Sequence, residues 1–414
     1  MALNDKLVAD IKQRLANGQG LTQISTELAV PRTTIYDIKI GKTYKETPWP
    51  SPEVKPIDLT NTEIQRLEAE NLHLREELKN TRKVVKHSRR EQGLIDAVID
   101  EVRNYKPMRA LPSQLVPEDG KETSEHCVLV LSDGHHDQIV TPEECGGLEE
   151  YNFEISCRRA ETLVDTVVDF TQNHLPNYHF KTLNIFSLGD STSGEIHGAK
   201  DRSAYRNQMK NCLAIGQLHA LMIRDLAPFF PQINVVCLSG NHGRRSLKKD
   251  FHGAQDNWDY LIAEIARLHL RDIDNVAFTI PNSWACNVSI DDVCFHLTHG
   301  DDIKGWSGVP FYGLVRRQRS LMSLAPVQTG PQPRYITMGH HHVAGSLADV
   351  NGSLLLNGAW VGTDAYAYNS FAGYRDPCQL LHGVNAKRGV TWKLDVQLRS
   401  KDDKKGPKRY KVSI

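Results

Sequence analysis

Carboxylate, imidazole and amide side chains stand directly after five apolar runs in this chain of 414 residues. Each run has the length and composition of a buried β-strand. Because an α/β sheet binds its ligands at the carboxyl ends of its strands, we expect these polar side chains to converge on one edge of such a sheet. The polar segments are Asp133-Gly134-His135, Gly189-Asp190, Gly240-Asn241-His242, His299-Gly300 and Gly339-His340-His341-His342.

These side chains have the chemistry of a two-metal site. Oxygen ligands suit hard divalent cations, and imidazole extends the choice to Mn, Fe, Ni and Zn. Asp133 and His135 are two residues apart and can face the same ion. Asp190 can bridge two ions, and Asn241 offers a neutral carbonyl oxygen. Two metals about 3.5–4 Å apart can clamp a phosphoryl oxygen and activate a water, so the segments predict phosphoester chemistry.

The three consecutive histidines of the fifth segment are predicted to alternate. They follow the strand-like run 335–338, and an extended backbone points successive side chains to opposite faces. We therefore expect His340 and His342 to face the site and His341 to face away from it.

In this order and at these spacings, the five segments resemble the calcineurin-like metallophosphoesterases. The resemblance covers residues 126 to 345 and implies an α/β fold, a four-layer β-sandwich flanked by helices. It also implies two divalent metal ions, with manganese expected first and Mg, Fe, Ni or Zn as alternatives. Catalytic roles are implied for Asp190, as the bridging ligand, and for His242, which would protonate the leaving alkoxide or steady the phosphate. The implied metal ligands are Asp133, His135, Asp190 and His342 for one ion, and Asp190, Asn241, His299 and His340 for the other.

The chain departs from the family pattern immediately after His242. Protein phosphatases of this family carry an acidic residue after Gly-Asn-His, whereas Gly243 stands at that position here. The carboxylate that would orient the His242 ring is therefore missing from its usual place. Glu195 and Asp301 are the candidates to replace it.

A basic run follows the third segment. Arg244 and Arg245, with Lys248 and Lys249, stand beside the predicted metal ligands. Positive charge at this place favours a polyanionic substrate such as a nucleic acid. The alternative is a solvated loop whose charges contact only water.

The composition places further bounds on the protein. Lys and Arg total 50, as do Asp and Glu, so nucleic-acid affinity has to come from local patches. The eight cysteines are scattered and several lie inside apolar runs, which predicts core residues in a reducing cytosol. With no signal-peptide pattern and no long apolar stretch, we expect a cytoplasmic protein without a membrane partner. The tail from Lys401 is rich in basic residues and is expected to be solvated.

Residues 1–45 form a separate unit with the pattern of three short helices. The unit resembles the helix-turn-helix of resolvase- and transposase-type DNA-binding domains, whose last helix enters the major groove. Its seven Lys/Arg against four Asp/Glu give a net charge of +3. The alternative is a small three-helix bundle used for protein contacts. The predicted DNA contacts of this unit are Arg32, Thr33, Thr34, Tyr36, Lys39 and Lys42, and those beside the metal site are Arg244 and Arg245.

A spacer and a coiled coil are predicted between the two functional units. Residues 46–56 contain four prolines and indicate an extended linker. In 57–105 apolar residues repeat every seven positions, which predicts a long helix that forms a homodimer. Asn71 at a core position is typical of a parallel dimer with a fixed register, although a single helix folded back on its own chain is the alternative. A second linker, 106–125, precedes the catalytic domain, 126–414. The core positions are Ile64, Asn71, Leu78 and Val85 in one phase, and Leu67, Leu74 and Thr81 in the other.

Together these features predict a two-metal phosphodiesterase that cleaves nucleic-acid phosphodiester bonds, a DNA nuclease brought to its substrate by the N-terminal unit. Within the family, this pairing looks most like the DNA-repair exonuclease branch. It is also reminiscent of bacteriophage-encoded proteins, in which case the compartment is the bacterial host cytosol. Two alternatives stay open: a small-molecule or nucleotide phosphoesterase, and a non-catalytic DNA-binding regulator on a metallophosphoesterase scaffold.

Overall fold

The computed structural model divides into two compact units, Met1–Glu91 and Gln92–Ile414. Part of each predicted linker, and residues 57–60 and 105 of the predicted coiled-coil region, lie outside the described residues. The described residues are 3–51, 61–104, 107–115, 123–196, 203–251, 253–303, 311–324, 330–349, 352–400 and 405–412.

All five apolar runs of the sequence are β-strands (β1, β2, β3, β6 and β7), as predicted. The helices are α1 (Asp5–Ala16), α2 (Leu21–Leu28), α3 (Arg32–Lys39), α4 (Asn61–Asn104), α5 (Phe153–Asp169), α6 (Gln208–Leu226), α7 (Trp258–His269), α8 (Phe311–Leu324) and α9 (Ala365–Phe371). The strands are β1 (Thr123–Leu131), β2 (Tyr178–Ser187), β3 (Ile233–Cys237), β4 (Val276–Thr279), β5 (Ala285–Ile290), β6 (Val293–Thr298), β7 (Tyr335–Met338), β8 (Gly345–Asp349), β9 (Gly352–Leu356), β10 (Cys378–Asn385) and β11 (Gly389–Gln397).

In the first unit, the three predicted short helices are α1, α2 and α3, which pack together. The side chain of Asn4 caps α1 by accepting the Leu7 N–H at 2.9 Å, which satisfies a backbone donor that the helix itself leaves unpaired. The bundle has an apolar core formed by Ile11, Ile24, Val30, Ile35 and Ile38, and Val8 of α1 is fully buried as well.

The chain after α3 folds back on α1. The Lys12 ammonium donates to the Tyr44 carbonyl at 2.9 Å and lies 5.3 Å from the centroid of the Trp49 ring. Lys12 is almost fully buried, and its bonds to backbone carbonyls offset the cost of removing its charge from water. The first residues of the proline-rich segment therefore pack against the bundle.

Helix α4 contains the predicted heptads in one uninterrupted run of 44 residues. The apolar core positions whose side chains the structure describes are exposed, with fractions of 51% for Leu67, 55% for Leu74, 51% for Leu78 and 43% for Val85. The polar core positions Asn71 and Thr81 are exposed as well. Within the described residues the seam is therefore not covered by the chain itself.

The second unit is built on two mixed β-sheets. The six-stranded sheet has the order β11-β10-β1-β2-β3-β4, and the five-stranded sheet has the order β5-β6-β7-β9-β8. Strands β1 to β4 run parallel, and so do β6, β7 and β9. Parallel strands have their carboxyl ends at the same edge of a sheet, where α/β proteins bind their ligands.

The sheets pack face to face and helices cover their outer faces. Val128, Phe186 and Phe295 are fully buried between the sheets. On β1 the alternate residues Cys127 and Leu129 join a second core together with α5, α6 and α7. Leu314 of α8 is buried in a third core against the five-stranded sheet. These helix and sheet layers confirm the predicted fold class, with strands that are apolar on both faces.

The C-terminal tail corrects an expectation, because residues 408–410 are docked on the protein. Glu161 of α5 is buried and accepts the backbone N–H groups of Lys408 (3.1 Å), Tyr410 (2.8 Å) and Arg409. The Tyr410 hydroxyl donates to Asp225 at 3.0 Å. The docking depends on backbone donors and an aromatic ring. The number of basic residues, from which a solvated tail was predicted, does not indicate these contacts.

Two predictions from composition concern the cysteines and the membrane. The cysteines are all unpaired thiols, and each is buried except the half-buried Cys286, as expected for core residues. Among the described residues, no helix combines the length and the apolar character that crossing a bilayer requires.

Glu161→Gln tests the docking of the tail. Gln offers one acceptor oxygen, and its amide group faces backbone N–H donors, so we expect the free energy of unfolding to fall by about 1–3 kcal/mol. Urea unfolding followed by circular dichroism measures this change. An unchanged midpoint and slope would contradict the stabilising role of the tail.

Candidate metal centre

The five polar segments meet at one place, but they do not belong to one sheet. Asp133, Asp190 and Asn241 follow β1, β2 and β3 of the six-stranded sheet, whereas His299 and His340 follow β6 and β7 of the five-stranded sheet. The expectation of a single sheet edge is therefore wrong. Face-to-face packing of two sheets brings their carboxyl ends together, and no pattern within one strand shows this.

Asp133, His135 and His342 form one cluster. Their ligand atoms all lie within 4.8 Å of one another. The His342 Nε2 atom lies 3.4 Å from Asp133 Oδ1, and Asp133 and His135 are buried. These are three of the four ligands predicted for the first ion.

Asp190, His299 and His340 form a second cluster, again with ligand atoms within 4.8 Å. His299 Nε2 lies 2.9 Å from Asp190 Oδ2 and 3.0 Å from the amide oxygen of Asn241. All four ligands predicted for the second ion are thus placed around the end of β2. A carboxylate oxygen of Asp190 also lies within 4.8 Å of a ring nitrogen of His135, which belongs to the first cluster. Asp190 is therefore within reach of both clusters.

His242 stands between the clusters. Its backbone N–H donates to Asp190 Oδ1 at 2.8 Å, and its ring centroid lies 4.7 Å from that of His135. Its Nδ1 lies 3.2 Å from the Ser193 carbonyl oxygen, which only accepts, so this nitrogen carries the proton. A ring nitrogen of His242 also lies within 4.8 Å of ligand atoms of His135 and Asp190. His242 can therefore serve as a further ligand or exchange a proton.

The candidates to replace the missing acidic residue lie differently. Asp301 binds Lys249, whose ammonium lies 2.7 and 2.9 Å from its carboxylate oxygens. Glu195 is exposed two residues after Ser193. A backbone carbonyl therefore occupies the position beside His242 Nδ1.

The fifth segment, residues 339–342, has a bent backbone where it approaches the two clusters. His340 and His342 have φ angles of 66° and 53°, so the backbone is left-handed and not extended. The predicted mechanism of alternation is wrong, although both rings do reach the clusters. The His341 ring packs at 5.1 Å from His340 and belongs to neither cluster.

Left-handed backbone is a property of the site as a whole. Asp133, His135 and Asp190 have φ angles of 52°, 38° and 53°, in addition to the two histidines of the fifth segment. Each such residue costs of order 1–3 kcal/mol and persists only where its surroundings impose it. Concentration of this strain at five predicted ligands indicates a site built for binding.

Glycines allow the loops to interlock. A Cβ on Gly189, whose φ is 91°, would lie 2.2 Å from the backbone nitrogen of Gly240. A Cβ on Gly339 would lie 2.4 Å from Asp133 Oδ2. Backbone bonds complete the contact, since Asp133 N–H donates to the Gly189 carbonyl at 3.1 Å. The glycines of these motifs are therefore packing requirements of the site.

Burial and charge set the protonation of the metal-free cluster. Burial alone would lower the pKa of His299, but the carboxylate of Asp190 raises it to about 10. Both His299 nitrogens face acceptors, since Nδ1 lies 2.8 Å from the Leu188 carbonyl. Burial lowers the pKa of His135 and of His340 to about 3, so both rings are neutral. Burial would raise the pKa of Asp133, but His342 brings it down to about 2.

The donor set fits divalent cations. Neutral imidazoles, ionised carboxylates and one amide oxygen are the ligands that Mn, Fe, Ni and Zn accept. A cation that replaced the Nε2 proton of His299 would meet Asp190 Oδ2 and Asn241 Oδ1, the two oxygens that this proton now faces. The residues present therefore fit a divalent metal in each cluster.

Two buried carboxylates of the site were not anticipated from sequence. Asp137 accepts the Ser193 N–H at 2.7 Å and the Thr192 hydroxyl at 2.9 Å, and burial raises its pKa. Asp259 accepts three backbone N–H groups, and burial together with the charge of Asp190 raises its pKa to about 6. Asp259 follows the helix cap Asn257, and in sequence this pattern signals only a helix start.

The basic residues beside the site are partly engaged with the protein. Arg244 Nε donates to the Asn241 carbonyl at 2.9 Å, and Arg245 pairs with Asp256 at 2.6 Å. The other predicted DNA contacts belong to the first unit. On α3, Arg32, Thr33, Tyr36 and Lys39 are exposed and Thr34 is half-buried, while Lys42 follows the helix and lies 3.6 Å from Asp37.

Comparisons with known proteins return distant structural neighbours. No family model matches the sequence, and no curated protein matches it. An archaeal phosphodiesterase is 11% identical, with 65% of this chain and 99% of that chain covered and a TM-score of 0.30. Vps29 from Entamoeba histolytica in complex with Zn²⁺ is 12% identical, with coverages of 66% and 99% and a TM-score of 0.28. The hypothetical protein PH1004 from Pyrococcus horikoshii is 11% identical, with coverages of 68% and 92% and a TM-score of 0.34.

Two substitutions are expected to have different effects on the number of bound metal ions. Asp190 is within reach of both clusters, so Asp190→Asn is expected to abolish binding of both Mn²⁺ ions. Asp133 belongs to one cluster, so Asp133→Asn is expected to leave one ion bound. Elemental analysis of the dialysed variants measures the ions per chain. Equal metal content in both variants would contradict a bridging position for Asp190.

Proposed function

We propose that this chain is a two-metal phosphodiesterase that hydrolyses nucleic-acid phosphodiester bonds, a DNA nuclease targeted by its N-terminal helical unit. The observation that carries the proposal is that two ligand clusters both lie within reach of one buried carboxylate, that of Asp190. Separate clusters joined by one carboxylate suit the clamping of one phosphoryl group between two ions. A metal held only for stability needs one closed ligand set.

The residues have distinct roles in this proposal. Ions bound here would stabilise charge on the phosphoryl group and activate a water for attack. With Nδ1–H directed at the Ser193 carbonyl, His242 presents Nε2 as the nitrogen that exchanges a proton with the leaving oxygen. The ligands would be Asp133, His135, Asp190 and His342 for one ion, and Asp190, Asn241, His299 and His340 for the other.

The first unit supplies affinity for DNA in this proposal. The exposed face of α3 carries Arg32, Thr33 and Tyr36 at its start and Lys39 at its end. A recognition helix contacts base edges near its N-terminus, whereas lysines neutralise phosphates. We therefore assign the first three residues to the groove and Lys39, with Lys42, to the backbone.

A small-molecule phosphoesterase is the second candidate. The ion pairs of Arg245 with Asp256 and of Lys249 with Asp301 favour it, because they neutralise part of the positive charge beside the metal ligands. Hydrolysis of a small diester without any cleavage of DNA would support this candidate. The measurement uses labelled single- and double-stranded DNA and bis-p-nitrophenyl phosphate, each with Mn²⁺, Mg²⁺ or EDTA.

Changes on α3 test the targeting. Combined Arg32→Ala and Lys39→Ala are expected to weaken duplex binding, and the log–log salt slope should fall by about 0.9 for each DNA phosphate that the variant no longer neutralises. Turnover of bis-p-nitrophenyl phosphate should not change, because the ligands lie in the other unit. Lys6→Ala, an exposed change on α1, is the matched control. Equal DNA affinity in the double variant and the control would count against a helix-turn-helix role.

We also propose that α4 pairs with α4 of a second copy. The exposed seam of Leu67, Leu74 and Leu78, with Asn71 among them, suits a parallel two-stranded coiled coil. A dimer would present two α3 helices to two half-sites of a duplex.

Introducing charge into the seam tests this pairing. Leu67→Glu with Leu74→Glu is expected to convert a dimer into a monomer, because four carboxylates would meet at the helix interface. Glu76→Ala on the opposite face of α4 is the control and should leave the dimer intact. Light scattering at micromolar concentration reports the mass, and a wild-type monomer would exclude the pairing.

A further inference from the structure

A buried carboxylate outside the ligand set, Asp259, joins the loop of Asp190 to the loop of Asn241. Its Oδ2 accepts the N–H of Asp190 at 3.0 Å and that of Gly240 at 2.9 Å. Its Oδ1 accepts the N–H of Ser191 at 2.9 Å. A carboxylate with several charge-assisted bonds fixes the distances between the backbones that it contacts. The relative position of two predicted ligands therefore depends on one side chain.

The first turn of α7 places this carboxylate. Asn257 caps the helix by accepting the Asp259 N–H at 2.8 Å, and its Nδ2 donates to the Gly240 carbonyl at 2.9 Å. The N–H and the carbonyl of Gly240 are thus both held by the same helical turn. Negative charge is favourable at a helix N-terminus, which helps to keep Asp259 ionised when buried.

Gly243 provides the space that this arrangement needs. A Cβ on Gly243 would lie 2.0 Å from Asn257 Oδ1 and 2.9 Å from Asp259 Oδ2. A side chain at the residue after His242 would therefore displace Asn257 first and Asp259 with it. This packing explains why position 243 is a glycine, although the family pattern predicts an acidic residue there.

Asp137 holds the far end of the same loop. It accepts the Ser193 N–H at 2.7 Å, and the Ser193 carbonyl faces His242 Nδ1 at 3.2 Å. Asp137 and Asp259 therefore hold residues 190–193 at both ends. Asp137 and Asp259 together therefore fix the positions of the Asp190 carboxylate and the His242 ring.

We propose that Asp259 is a positioning residue of the metal centre, which sets the spacing between the Asp190 and Asn241 ligands, with Gly243 as the small residue that admits it. The inference rests on the proposed two-metal function. The contacts of Asp259 are with backbone N–H groups of the two ligand loops, so it acts on metal binding through the positions of these loops.

The experiment uses the full chain and compares three variants. Asp259→Asn replaces an acceptor with an amide donor that opposes the backbone N–H groups. Gly243→Ala displaces the same side chains without any change of charge. Glu161→Gln is the control, because Glu161 is also a buried carboxylate with three backbone N–H donors but lies at the C-terminal tail, where it pairs with Arg158 as well. Each protein is measured for Mn²⁺ affinity by calorimetry, for the Tm of the metal-free form, and for kcat and KM with bis-p-nitrophenyl phosphate.

We expect Asp259→Asn and Gly243→Ala to weaken Mn²⁺ binding by about 10–100-fold, the usual effect of losing a residue that orients a metal ligand. The kcat should fall in both at saturating Mn²⁺. The control should lose Tm and keep wild-type Mn²⁺ affinity.

Two results would overturn the inference while the proposed function stands. One is wild-type Mn²⁺ affinity in both Asp259→Asn and Gly243→Ala. The other is an equal loss of Mn²⁺ affinity in Glu161→Gln, since the effect would then report general loss of structure. A wild-type chain that binds no Mn²⁺ would overturn the proposed function and this inference together.

Discussion

Burial of the two carboxylates Asp133 and Asp190 beside one another is the constraint on which the second unit depends. Each loses hydration on burial, and their charges repel in a medium of low dielectric. The fold offsets this with donors from other strand ends. The His340 N–H donates to Asp133, the His242 N–H donates to Asp190, and the His299 imidazolium pairs with Asp190 at 2.9 Å. Loops from both sheets therefore contribute to the charge balance around the two carboxylates. Divalent cations bound here would take the place of the proton on His299.

The same requirement explains the strained backbone of the site. Side chains that must converge from two sheets have to leave their strands at sharp angles, and left-handed φ values at Asp133, Asp190 and His340 provide those angles. Such conformations persist because the loops are locked together, as where Gly189 packs on the Gly240 backbone and Asp259 binds both loops. Rigid support of this kind is what a site needs to hold ligands in a fixed geometry.

The two units divide the proposed function between them. In the first unit, Lys12 is buried and bonds to backbone carbonyl groups, whereas Arg32 and Lys39 of α3 are exposed and proposed to contact DNA. In the second unit, pairing of Arg245 and Lys249 with acids leaves less local charge for a polyanion. Binding to DNA would then depend mainly on the first unit, and bond cleavage on the second.

The sequence alone indicated the five strands and the chemical types of the candidate ligands, because both are local. Apolar runs of strand length, helix caps such as Asn4 and polar residues directly after strands are properties of a few neighbouring positions. Tertiary structure decided the rest. It divided the five strands between two sheets, turned His340 and His342 by bends, and docked the C-terminal tail on Glu161. It also brought Asp259 beneath Gly243, sixteen residues earlier in the chain, where a glycine and a distant carboxylate fit each other. Such a pairing depends on the packing of α7 against two loops, and no spacing within one segment encodes it.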